Sequence, residues 1–224
     1  DFESPLLHKL TWPKVSWAPV LFDLDNDTDL DLFFANGHLN SVSGDNRQSN
    51  LLFENDGGGQ FTDISERSGV LSTGKRIHRS AIFADYDDDG KVDIFVTVNG
   101  QQVEDGQGNN IFDPNQGKGV LFHNETKSDN NWIKVRLEGT KSNRDGFGAT
   151  VAIKAGSIKD KQALVSGQGY FSAHAKEIYF GLGSVKSIDK IKVSWPSGMD
   201  QTFENIPANQ TVYILEGETL HQNT

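Results

Sequence analysis

The chain has 224 residues, enough for one large or two modest domains. Asp plus Glu outnumber Lys plus Arg by 31 to 21, a net charge of −10. That balance argues against a nucleic-acid binder, which needs a basic face, and against attraction to anionic lipid by charge. Cysteine is absent, which removes disulfides, thiol nucleophiles and thiolate zinc sites together. No apolar run approaches the ~20 residues of a membrane span. The start at Asp1 rather than Met is expected to be a processed or trimmed terminus, which would hide an export signal.

Taken in chain order, the apolar pattern is mostly period two, the mark of strands with one buried and one wet face. The best helical candidate is one short turn near Asp63 to Ser68. An internal repeat organises the first half. VLFDLDNDTDLDLFF at 20–34 aligns with IFADYDDDGKVDIFV at 82–96, and LLFEN at 51–55 returns as VLFHN at 120–124. The second copy therefore holds extra residues, expected in the polar stretch 101–119. After the polar run KSDNN at 127–131 the repeat stops. Long alternating strands follow: Ile133, Val135 and Leu137 against Lys134 and Arg136; Val151 and Ile153; then Ile191, Val193 and Trp195. The expected organisation is all-β. Residues 1–127 form a partial β-propeller of two four-stranded blades, 131–217 form an antiparallel β-sandwich or barrel-like domain, and 218–224 form a loose tail.

The sharpest chemical signal is the pattern D-x-D-x-D-x-x-x-D. Asp23, Asp25, Asp27 and Asp31 fill it in the first copy, and Asp85, Asp87, Asp89 and Asp93 in the second. Alternate carboxylates in a tight turn converge on one point, and hard oxygen donors there suit Ca²⁺. The main-chain carbonyls of Asp29 and Lys91, at the seventh position, would each add a ligand. An EF-hand is excluded. Its twelfth position should be a bidentate Glu, but Phe34 and Val96 stand there, and the flanks are strands. At the sixth position Gly90 admits a left-handed turn, whereas the β-branched Thr28 resists one, so the second loop is expected to be the better site.

The two copies resemble FG-GAP (VCBS-type) repeats, the blade unit of integrin α-chain propellers. The second half resembles the ASPIC/UnbV domain, on SNRDGFGA at 142–149, GQGYFS at 167–172, FGLG at 180–183 and WPSG at 195–198. Thr28 departs from the repeat, which usually has Gly there. The resemblance implies an extracellular or periplasmic, secreted location.

The C-terminal motifs read on their own as structure. Gly146 and Gly148 permit a tight turn fixed by Asn143, Arg144 and Asp145, and Trp195 is a core aromatic. No nucleophile elbow, H-E-x-x-H or phosphate loop occurs, and no catalytic residue is expected. The sequons at Asn26, Asn124 and Asn209 read as chance.

The leading functional expectation is a non-enzymatic, Ca²⁺-stabilised interaction module, adhesive or a structural subunit of a larger assembly. Two alternatives stay open: an accessory subunit or fragment of an enzyme complex whose chemistry lies on another chain, and a glycan-binding module. The expected partner is other protein, or the remainder of a longer propeller that covers the apolar strands of residues 1–127.

Overall fold

The computed structural model describes residues 5–39, 46–100, 102–104, 107, 110–112 and 117–222. One short helix, α1 (Pro5–Thr11), comes first and buries none of its side chains. The sequence expectation put its helical turn elsewhere, at 63–68. There the chain makes a single turn, closed by Ser68 N–H to the Ile64 carbonyl at 2.9 Å.

The first repeat forms a four-stranded antiparallel sheet of β1 (Ser16–Phe22), β2 (Asp31–Asn36), β3 (Leu51–Asn55) and β4 (Phe61–Asp63), in that order. The second repeat gives β5 (Ile77–Ala84) and β6 (Asp93–Asn99). A separate hairpin follows, of β7 (Gln102–Glu104) and β8 (Asn110–Phe112), and then β9 (Val120–Phe122). This sheet runs β5-β6-β9, and the hairpin lies where the extra residues of the second copy were expected.

Two equal blades were expected. Among the described residues the second has three strands against four in the first. The stretch that aligns with β4 at the offset of 69 is 130–132, and there the next strand already belongs to the other half of the molecule.

That half is a sandwich. Its strands are β10 (Asn131–Glu138), β11 (Thr150–Ala155), β12 (Ile158–Ala163), β13 (Glu177–Gly183), β14 (Ser187–Ser194), β15 (Asp200–Pro207), β16 (Gln210–Leu215) and β17 (Leu220–Gln222). They form two sheets, β13-β10-β16-β17 and β12-β11-β14-β15. All pairs are antiparallel except β10 with β16, a departure from the purely antiparallel expectation. The stretch from 218 also differs from a loose tail, because Leu220–Gln222 pairs with β16; residues 223–224 lie outside the described residues.

Each half has its own core. Ile133, Val135, Val151, Phe180, Leu182, Ile191, Val193, Trp195 and Val212 fill the sandwich. The blades meet through Val20, Phe22, Phe33, Leu52, Phe83, Ile94 and Val96, with Phe22 and Phe83 in ring contact at 4.5 Å. Gly37 lies where the blades touch; a Cβ there would sit 2.6 Å from the His78 main-chain nitrogen. A long connection between β12 and β13 crosses the innermost strands. Ala175 N–H bonds the Phe83 carbonyl at 3.0 Å, His174 stacks on Phe83, and Tyr170 packs on Trp17. The sandwich thus covers part of both blades within the one chain.

The opposite blade faces stay open. Register puts Leu21 opposite Leu32 on the outer side of the first sheet, and Phe95 opposite Leu121 on the outer side of the second. Leu21 is 56% exposed, Leu121 49% and Phe95 38%.

Candidate metal centre

The acidic loops join β1 to β2 and β5 to β6, and they fold alike bond for bond. In the first, Asp23 accepts the N–H of Asp27 at 3.1 Å on Oδ1 and of Thr28 at 3.0 Å on Oδ2. In the second, Asp85 accepts Asp89 N–H at 3.0 Å and Gly90 N–H at 3.1 Å in the same way. The fifth-position carboxylates hold the seventh residue: Asp27 accepts Asp29 N–H at 3.0 Å, and Asp89 accepts Lys91 N–H at 2.9 Å. Both turns need left-handed backbone at the fourth and sixth positions. Asn26 and Asp88 have φ of 64° and 61°, and Thr28 and Gly90 have 89° and 86°. Asn and Asp tolerate that region and glycine favours it. Thr28 adopts the same geometry as Gly90 but carries a conformational cost for it.

This arrangement brings Asp23, Asp25 and Asp27 together in one loop and Asp85, Asp87 and Asp89 together in the other, each triad offering oxygens within 4.8 Å of one another. The ninth-position aspartates behave differently. Asp31 spends its two oxygens on Leu24 N–H at 2.8 Å and Asn55 N–H at 2.9 Å. Asp93 does the same with Tyr86 N–H at 3.1 Å and Asn124 N–H at 2.8 Å. They staple each loop to the third strand of its blade, and Asp93 also meets His123 Nδ1 at 3.1 Å.

The residues of the first loop fit a hard cation. Its donors are all oxygens, and Asp29 Oδ1 is buried with no hydrogen-bond partner. Burial, then the neighbouring aspartates, push four of the first-loop carboxyls up. Asp23 reaches about 7, although the Thr28 N–H draws it down, and Asp29 reaches about 6. Asp31 also rises to about 7, chiefly through burial, against the pull of Asn55 and Leu24 N–H. Asp25 is raised by burial and by Asp27. Among the described residues no Lys, Arg or His forms an ion pair with Asp23, Asp25, Asp27, Asp29 or Asp31.

The second loop has a different environment. Lys134 Nζ donates to Asp85 Oδ2 at 2.8 Å and also to Asp88; the lysine is fully buried. Arg136 lies 3.4 Å from Asp88, and Lys91 3.4 Å from Asp89. Burial works against the Lys134 ammonium, but its two carboxylate partners outweigh that and raise its pKa. Asp88 is held below the ordinary value by Lys134. Asp85 stays raised, because burial exceeds what Lys134 and Gly90 N–H recover.

The loops are the seam between the two halves of the chain. The outward faces of β13 and β10 lie beneath them, the second of which the alternation assigned to solvent. Gly181 of FGLG faces the first loop so closely that a Cβ would lie 1.9 Å from Asp23 Oδ2 and 2.8 Å from the Asn26 main chain. Gly183 N–H bonds the Asn26 carbonyl at 2.9 Å. Trp132 and Lys134 take the second loop, and Tyr179 Oη accepts Asp85 N–H at 3.1 Å. Asn26 Nδ2 bonds the Gly90 carbonyl at 3.1 Å, and Asn124 Nδ2 bonds the carbonyls of Leu24 and Val92, at 2.8 and 3.2 Å, so the loops are also tied to each other. The side-chain nitrogens of the sequon residues Asn26, Asn124 and Asn209 are thus all engaged, the last with Asn131 at 2.7 Å.

Sequence reasoning missed Lys134, Gly181 and Asn124 as parts of this centre. For Asn124 a signal existed. Asn55 and Asn124 close the repeated LLFEN and VLFHN, and both reach back to a loop carbonyl, Leu30 and Val92 respectively.

The stretches SNRDGFGA and WPSG meet at Glu216 through Ser142 and Ser197. This buried carboxylate accepts the N–H of Thr140, Lys141 and Ser142 at 2.9, 2.7 and 2.7 Å, and the hydroxyls of Ser142 and Ser197. Burial pushes its pKa up, but these donors prevail and hold it at about 2. Asn143 fixes the turn by bonding Phe147 N–H and carbonyl, and Gly146 and Gly148 supply φ of 69° and 89°.

Comparison with known proteins follows the same division. Residues 23–96 match the model of the FG-GAP-like repeat, and residues 139–221 match that of ASPIC and UnbV. Cartilage acidic protein 1 of Homo sapiens is 25% identical over 219 residues, covering 96% of this chain and 30% of that protein. The Mus musculus protein of the same name is 25% identical over 231 residues, covering 100% of this chain and 32% of its own length. The chain therefore spans about a third of these curated relatives. It pairs an FG-GAP-like stretch with an ASPIC and UnbV stretch, and the acidic loops of the first rest on the FGLG strand of the second.

Proposed function

We propose that the chain is a non-enzymatic interaction module of the extracellular type, held together by calcium and docked through its blades to further protein. The observation that carries this reading is the pairing of two features. Convergent carboxylate triads sit at the seam between the halves, and the two outer blade faces are left apolar and open. A cation in the first loop would offset the burial and the repulsion that lift its carboxyl pKa values, and so would rigidify the joint with the sandwich. Leu21, Phe95 and Leu121 are the sort of surface that soluble proteins cover. Each face suits another blade or a partner subunit, with a total buried area above about 1,000 Å². The extracellular name of the relatives, cartilage acidic protein 1, agrees with a secreted setting.

Sedimentation of the purified chain across micromolar concentrations, with calcium and with EGTA, tests the docking part. Association through the open faces is expected. A well-behaved monomer at every concentration would mean that the blades are self-sufficient.

A further inference from the structure

The two acidic loops share one backbone but not one electrostatic environment, and the one fully buried charge among the differences is a lysine. Lys134 projects from β10 of the sandwich, is fully buried, and donates to Asp85 Oδ2 at 2.8 Å and to Asp88. Asp85 is the first carboxylate of the second loop, the counterpart of Asp23. Asp23 has no such partner; the strand facing it offers Gly181 instead. At the fourth position the first loop carries the neutral Asn26, which bonds the Gly90 carbonyl, where the second carries Asp88, which receives the ammonium. Charge and counter-charge thus appear together in the second loop and are absent together from the first.

We propose that Lys134 is the built-in cation of the second loop. It anchors that loop to the sandwich without metal, and calcium uptake is concentrated in the first loop. A buried ammonium is costly to desolvate and is tolerated only with good carboxylate partners, which Asp85 and Asp88 supply. The same ammonium repels a divalent ion entering among Asp85, Asp87 and Asp89, and it occupies an oxygen that the ion would need. The ranking drawn from Gly90 and Thr28 alone is then reversed, because a nearby full charge outweighs the strain of one β-branched residue. This inference rests on the calcium reading above.

Calorimetric titration of the chelator-stripped chain with calcium chloride tests it, using the native chain, Asp27→Asn, Asp89→Asn and Lys134→Met. The native chain is expected to show one strong site, lost in Asp27→Asn and kept in Asp89→Asn. Lys134→Met is expected to tighten the second site by about tenfold or more. If Lys134→Met does not fold, the two aspartate variants decide by themselves. Two equal sites in the native chain, or a strong site lost in Asp89→Asn and kept in Asp27→Asn, would overturn the inference and leave the calcium reading standing. No heat in either the native chain or Lys134→Met would overturn both.

Discussion

The first and second acidic loops form a natural pair for comparison. Their main chains repeat hydrogen bond for hydrogen bond, and each ninth-position aspartate staples its loop to the third strand of its blade. Yet the first loop gathers carboxylates without a counter-charge, and the second receives Lys134, Arg136 and Lys91. A repeated motif therefore fixes a shape but leaves the ion balance open. That balance is set by the loop's own seventh residue, Asp29 or Lys91, and by the strand that the other half of the chain lays against the loop.

The largest effect in this comparison is expected from Lys134→Met measured in EGTA. It leaves Asp85 buried and unpaired, which costs about 3–5 kcal/mol. Denaturant titration should show the loss shrinking when calcium is added, since the ion then does the work of the ammonium. A loss unchanged by calcium would separate Lys134 from the metal centre.

Next comes Gly181→Ala, which strikes the first loop instead. Its Cβ has no room beside Asp23 and Asn26, and overpacking of this kind costs about 1–3 kcal/mol. The accompanying readout is weaker calcium binding. An unaffected affinity would mean that the FGLG strand does not position the loop.

Thr28→Gly should act in the opposite direction. It releases the strain of a β-branched residue at φ 89°, a gain of about 1 kcal/mol with tighter calcium binding. Weaker binding in a calorimetric titration would refute the strain argument.

The smallest effects are expected in the pH profile, where two carboxylates of opposite behaviour can be told apart. Asp23, like Asp31, is raised from 3.8 to about 7, so in EGTA its contribution is present below 3.8 and is lost as pH rises through about 7. Glu216 is lowered from 4.5 to about 2, so its contribution is present above 4.5 and is lost as pH falls through about 2. Thermal melts in EGTA should therefore improve from pH 7 towards 4. Glu216→Gln should flatten the acid limb below 4.5 and leave the limb near 7 unchanged. Calcium should abolish the limb near 7, because the ion holds the carboxylates ionised.

Much of the fold was legible in the residues. Alternation announced Ile133, Val135 and Leu137 as a core stripe, and the repeated acidic pattern located both loops in β-hairpins. The same alternation misled on the other stripe, where Lys134 and Arg136 look wet. Periodicity reports which residues share a face; it does not report what lies on that face, and here an acidic loop covers it. Gly181 gave no sign of a loop contact, because the atoms that exclude its Cβ belong to a loop more than 150 positions earlier in the chain. The unequal blades were hidden for a related reason. The segment aligned with β4, Asn130 to Trp132, does enter a strand, but the partners of that strand are β13 and β16.

The central claim is that calcium, held mainly by the first loop, stabilises the joint between blades and sandwich. Thermal unfolding of the native chain in saturating calcium and in EGTA tests it most directly. Calcium at 100 times its dissociation constant should add about 2.7 kcal/mol per site to the folded state and raise the melting temperature. Superimposable melting curves in the two buffers would contradict the account.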